Sequence, residues 1–135
     1  MIVVDSSVIS FLFLEGELTE SVKELHRIDS EWITPPILNH EMLNILAVVG
    51  TADQAVAPME EIWRDLRALL GSRQQVPDPL RSLHLAIELK ISGYEAQYVA
   101  LAQQLNMPLV TEEQRLLEQL PALCLSIEEA LKLKL

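Results

Sequence analysis

Very short apolar runs, each stopping at or beside a polar residue and followed by an amphipathic stretch, recur along this chain. Ile2-Val3-Val4 stops at Asp5, Trp32-Ile33-Thr34 ends in a hydroxyl, Pro108-Leu109-Val110 stops at Thr111, and Leu123-Cys124-Leu125 stops at Ser126. An apolar run with no polar residue inside it suits a strand covered on both faces, and strands of that kind belong to parallel sheets clothed in helices. Gln74 to Val76 reads as one more short strand.

The stretches between are helical in period. The spacing predicts a short helix over 6–14, then one over 17–29 with Leu18, Val22, Leu25 and Ile28 on one face. Pro35-Pro36 opens a helix carrying Leu38, Met42, Ile45, Leu46 and Val49 and closing at Gly50. Thr51-Ala52-Asp53-Gln54 resembles a capping box for a helix running to about Leu70. Asp78-Pro79 starts a helix over 79–91, Ser92-Gly93-Tyr94-Glu95 caps one over 94–106, Thr111 is the N-cap expected for the next, and Ser126-Ile127-Glu128-Glu129 caps the last. The expectation is one α/β domain over 1–135, a length that one core serves well.

Composition narrows the function classes. Half of the residues are hydrophobic, and 25 are Leu, so a core forms without cross-links. The single cysteine, Cys124, leaves no intramolecular disulfide and suits a reducing, cytoplasmic setting. No apolar run approaches the roughly 20 residues of a membrane span, and the start lacks the basic segment of a secretory signal. The net charge of −10 disfavours a protein that coats nucleic acid by charge alone. The charge is uneven: residues 15–31 hold six acids and two bases, whereas 64–90 hold five bases (Arg64, Arg67, Arg73, Arg81, Lys90) and three acids. A polyanion is expected nearer the second stretch, where Arg64, Arg67, Arg73 or Arg81 could steer it.

In an open parallel sheet, sites form outside the carboxyl ends of the strands. Asp5 stands at such an end with nothing polar before it, and is either a helix N-cap or a site residue. Glu95 lies in line with Val99 and Ala102 on an inward stripe, where a carboxylate needs a partner or a metal; its partner could also be the capping box with Ser92. Glu41 sits between Leu38 and Ile45 at the border of an apolar face. Glu112 and Glu113 open a helix, where acids suit the macrodipole. The four glycines form no phosphate loop, and no H-x-x-x-H or C-x-x-C spacing points to zinc. His26, His40 and His84 are scattered. A phosphoryl-transfer protein with Asp5 as nucleophile would need a second Asp two residues on, where Ser7 stands.

Together the acids make a pattern: Val4-Asp5-Ser6-Ser7-Val8, Asn39-His40-Glu41-Met42-Leu43, Gly93-Tyr94-Glu95-Ala96-Gln97-Tyr98-Val99-Ala100, and Leu109-Val110-Thr111-Glu112-Glu113-Gln114. This pattern resembles the PIN domain family, especially its small VapC-like ribonuclease toxins, over almost the whole chain. The resemblance implies a five-stranded parallel sheet flanked by helices, with acids at its carboxyl edge holding Mg²⁺ or Mn²⁺ for hydrolysis of RNA phosphodiesters. Carried over position by position, it assigns Asp5, Glu41, Glu95 and Glu113 as the catalytic acids. Asp5, Glu95 and Glu113 contact the metal, Glu41 completes the site or orients the water, and Ser7 and Thr111 position a ligand or water. It also implies a homodimer and a small antitoxin partner, with the helices over 17–29 and 36–50 apolar enough to serve core and interface alike. Positions 95 and 113 are usually Asp in this family and are Glu here. A second reading therefore keeps the fold without the catalysis, as a module that acts through protein contacts.

Overall fold

The structure is a computed structural model and describes residues 1–133. Four parallel strands form the sheet: β1 (Ile2–Val4), β2 (Trp32–Ile33), β3 (Leu109–Val110) and β4 (Cys124–Leu125), in the order β2-β1-β3-β4. Ile2, Val3 and Val4 are all fully buried. Successive side chains on a strand point to opposite faces, so both faces of β1 are covered. Eight helices among the described residues do the covering: α1 (Ser6–Phe13), α2 (Thr19–Ile28), α3 (Ile37–Asp53), α4 (Val56–Leu70), α5 (Pro79–Leu89), α6 (Gly93–Leu105), α7 (Gln114–Gln119) and α8 (Ile127–Lys132). None is long and apolar enough to cross a membrane.

The expected fifth strand is reduced to one bridge. Gln74 pairs in parallel with Thr34, and Gln75 donates its N–H to the Thr34 carbonyl at 3.1 Å. The pairing stops there for a local reason: Val76 is 72% exposed and finds no face to cover, and Pro77 has no N–H for a ladder.

The long third helix corrects a second expectation. Gly50 does not end it, and Thr51 does not cap a new one. The helix continues to Asp53, and Thr51 Oγ1 donates back to the Ala47 carbonyl at 2.7 Å. A Cβ on Gly50 would lie 3.0 Å from Met59 Cγ and 3.2 Å from the Ala55 carbonyl oxygen, so this glycine admits α4 close to α3. The helix stops at Gln54, whose backbone is left-handed (φ 51°, ψ 44°) and whose N–H returns to the Gly50 carbonyl. That conformation costs an L-residue about 1–2 kcal/mol and a glycine almost nothing. Gln54→Gly should therefore raise the unfolding free energy by about 0.5–1 kcal/mol in urea titrations.

α6 is the helix that positions the site. Its Ser92–Glu95 capping box forms as the sequence predicts. The small residues Ala96, Ala100 and Ala102 are buried along it, and it packs against β1 and β3. Cys124 is buried in β4, as a core residue should be.

Candidate active site at the carboxyl edge of the sheet

β1 is the first strand in the chain and sits between β2 and β3, so the chain leaves it toward one side and returns on the other. A crevice opens outside the carboxyl ends of strands at such a reversal. Asp5 follows β1 there and Thr111 follows β3.

Asp5 uses its two carboxylate oxygens for different purposes. Oδ1 accepts the N–H groups of Ser7 (3.1 Å) and Val8 (3.3 Å) and so caps α1, and it accepts the Ser7 hydroxyl at 2.6 Å. Oδ2 accepts the Thr111 hydroxyl. Each hydroxyl in turn accepts a backbone N–H from the loop after β3, Ser7 from Glu112 at 3.1 Å and Thr111 from Glu113 at 2.9 Å. Both hydroxyl protons are thereby directed at Asp5, which the arrangement treats as an acceptor. Burial nevertheless pushes its pKa up to about 6, against the hydrogen bonds from Ser7, Thr111 and Val8 and with a smaller upward contribution from the charge on Glu41.

Glu41 comes from the second turn of α3. Its Oε1 accepts the Tyr98 hydroxyl at 2.5 Å. Burial holds this carboxyl above the usual carboxylate range, opposed by bonds from Tyr98 and Ser6 and reinforced by the charge on Glu95. Burial and then the Glu41 charge push the Tyr98 hydroxyl far up, so Tyr98 remains a donor.

Glu95, at the start of α6, is also divided. Oε1 returns to the Ser92 N–H at 3.4 Å and its hydroxyl at 3.2 Å. Oε2 is buried and has no hydrogen-bond partner among the described residues. The capping reading and the site reading of Asp5 and Glu95 thus coexist, one oxygen serving each. For Glu95 the free oxygen matters most, because a buried carboxylate oxygen without a partner is costly.

The charge on Glu41 reaches Asp5 and the charge on Glu95 reaches Glu41, and Ser7 and Thr111 are bonded to Asp5 in the same group. Glu113 stands apart. It is exposed and occupies the N-cap position of α7 without a side-chain capping bond. Thr111, the expected N-cap, instead lies fully buried before the helix. Glu112 is structural: its Oε1 accepts the Ile127 N–H at 2.9 Å at the start of α8. As they stand, no three His, Cys, Asp or Glu side chains among the described residues converge closely enough to hold an ion. In donor type the group fits a hard divalent cation, being all oxygen with one buried oxygen unclaimed.

Tyr98 and Ser6 are the site residues that the sequence reading missed. Tyr98 carried a signal: it falls on the buried stripe of α6, and a buried phenol normally has a partner. Of the arginines considered for steering, Arg64 is paired with Glu60 at 3.1 Å, Arg67 donates to Asn39 and Gln74, and Arg81 donates to Gln103.

Comparison with known proteins identifies the family and the fold. The family model for the PIN domain matches residues 2–122. The chain belongs to the PIN domain family. It is 30% identical over 132 residues to Ribonuclease VapC3 of Pyrobaculum aerophilum, an alignment covering 90% of this chain and 96% of that one. Among solved structures it is similar to PAE2754 from Pyrobaculum aerophilum, with a TM-score of 0.72 and 21% identity over 98% of this chain and 95% of that one. A larger cleft of about 760 Å³ lies between α3 and α4, away from the Asp5–Thr111 pair, and is mostly apolar in its lining.

Proposed function

We propose that this PIN domain is a metal-dependent endoribonuclease, the toxin of a toxin–antitoxin pair, working in the cytoplasm. The observation that carries the reading is the pairing of Asp5 and Thr111 across the ends of the two central strands, with Glu41 and Glu95 beside them. Similarity to a protein named as a ribonuclease supports it.

Asp5, Glu95 and Glu113 would hold Mg²⁺ or Mn²⁺, either directly or through water. Bound there, the cation supplies a Lewis acid for a phosphate oxygen and a water of lowered pKa. The protein's own residues do the rest. Ser7 and Thr111 fix the Asp5 carboxylate by donating to both of its oxygens. Glu95 would offer Oε2, and Glu113, exposed at the N-cap of α7 with no side-chain capping bond, would complete the donor set through the reach of its extra methylene. Glu41, held at Oε1 by Tyr98, completes the site or orients the attacking water. The acidic site repels RNA until its charge is offset, so RNA affinity should depend strongly on a divalent cation.

Two surfaces suit the partners that this reading requires. Leu80, Leu83 and Ile87 form an exposed apolar stripe on α5, suited to a second copy in a homodimer. The α3–α4 cleft, lined by Leu43, Leu46, Met59 and Trp63, suits an apolar segment of a small antitoxin. The expected interface helices were α2 and α3, so α5 is an addition to that reading.

The test is direct. Purified protein incubated with single-stranded RNA should cut it in the presence of Mn²⁺ or Mg²⁺, and EDTA should stop the reaction. Absence of cleavage, together with no Mn²⁺ binding by calorimetry at millimolar metal, would instead favour the non-catalytic interaction module.

A further inference from the structure

A cleft of about 630 Å³ opens beside Glu41, within the range of about 300–1,000 Å³ typical of small-ligand sites. One wall is a single face of α3, where Ile37, Glu41, Asn44 and Ile45 recur at helical spacing and His40 lies one turn before Asn44. The rest of the lining is Ser6 of α1 and Tyr94, from the first turn of α6 immediately before Glu95. Tyr94 is 60% exposed. It contributes nothing to the core, so the fold does not account for an aromatic ring at this position.

The lining is selective in its chemistry. Ile37 and Ile45 are half-buried and give an apolar floor. His40, Asn44 and Tyr94 are exposed, and none makes a side-chain hydrogen bond among the described residues. An anionic group is poorly served, because no Lys or Arg lines the cleft and Glu41 does. A purely aliphatic group would leave the amide and imidazole unused. An arginine side chain, all donor, would satisfy Glu41 but leave the Asn44 amide donors without an acceptor. A planar aromatic ring with both donors and acceptors on its edge satisfies every wall.

We propose that this cleft is a base-binding subsite that takes one unstacked nucleobase of single-stranded RNA beside the reacting phosphate. Tyr94 is the stacking platform, and Asn44 and His40 meet the edge of the base. This rests on the ribonuclease reading for its substrate and adds to it where the strand lies and what selects the cut. Unpaired bases are the parts of RNA that proteins read by stacking and by edge hydrogen bonds, and base-paired RNA would keep its bases out of such a cleft.

The test separates binding from cleavage. Affinity for a fluorescent, uncleavable 2′-O-methyl RNA oligonucleotide is measured with Mn²⁺ present, for wild type, Tyr94→Ala, Tyr94→Phe and Asn44→Ala. Tyr94→Ala should weaken binding about ten-fold or more, and Tyr94→Phe should keep it, as stacking requires. In cleavage assays with mixed-sequence RNA, Asn44→Ala should change the base preference at the cut, which a structural role would not move. Unchanged binding and unchanged cut positions in Tyr94→Ala would overturn the subsite, even with the nuclease active. Loss of affinity in Tyr94→Ala for an arginine-rich peptide, but not for the oligonucleotide, would overturn it in favour of a protein-binding cleft. Tyr94-dependent oligonucleotide binding by a wild type that cuts nothing would uphold the subsite and sink the ribonuclease reading alone.

Discussion

Asp5→Asn should abolish metal-dependent RNA cleavage while changing how stability responds to pH. The substitution keeps an acceptor at the Oδ1 position for the α1 cap and removes the charge. Residues that only orient metal ligands typically cost 10- to 100-fold when changed, so loss of a direct ligand should cost at least about a hundred-fold in activity. The stability effect follows from burial. The wild-type carboxyl has a folded pKa of about 6 against 3.8 when unfolded. Between those values the folded state binds the proton and the unfolded state does not, so wild-type stability falls as pH rises from 3.8 to 6. The shift corresponds to about 3 kcal/mol. The asparagine variant lacks this titration. The difference in unfolding free energy between variant and wild type should therefore move by about 2 kcal/mol in the variant's favour between pH 4 and pH 7, as measured in urea without metal. Mn²⁺ should then stabilise the wild type at pH 7 and leave the variant unchanged. A variant that still cuts RNA at the wild-type rate would remove Asp5 from the site.

The second large effect is on the fold. Leu101 is fully buried in α6, the helix that packs on β1 and β3 and carries Tyr94, Glu95 and Tyr98. Leu101→Ala should cost about 2–5 kcal/mol, the range for a buried leucine, against a total of about 5–15 kcal/mol for a domain of this kind. The midpoint of thermal unfolding should drop on the order of 10 °C. A cost below about 1 kcal/mol, measured by urea unfolding, would show that α6 settles into the space.

What the sequence makes legible here is whatever its neighbours in the chain determine. The β1 strand, the start of α5 at Pro79, and the capping boxes at Ser92 and Ser126 are local devices, and each forms where the residues predict it. Gly50 misleads because a glycine that ends a helix and one that admits a neighbouring helix look alike until Met59 is in place. The Gln74–Val76 strand shrinks to one bridge because Pro77 ends the ladder and Val76 meets no covering face beyond the β2 edge; the proline is legible in the sequence, the missing face is not. Within the site, Asp5 and Glu95 stand out as polar residues on apolar patterns. The bond between Tyr98 and Glu41 spans 57 positions and could not be read locally, and the sequence did not show that Thr111 would be buried and Glu113 take the N-cap position.

The central place of β1 has a consequence for synthesis. Asp5 is made well before the residues that complete its surroundings: the β3 strand beside it and the hydroxyl that holds it come about 106 positions later, with Thr111. Glu41 and Glu95 likewise arrive on separate helices that only the finished sheet brings together. A nascent chain long enough to show β1, β2 and α3 still has no assembled acid cluster. For a protein proposed to cut RNA, the ribosome that makes it, itself largely RNA, meets a competent site only after Thr111 and the β3 strand before it have been made.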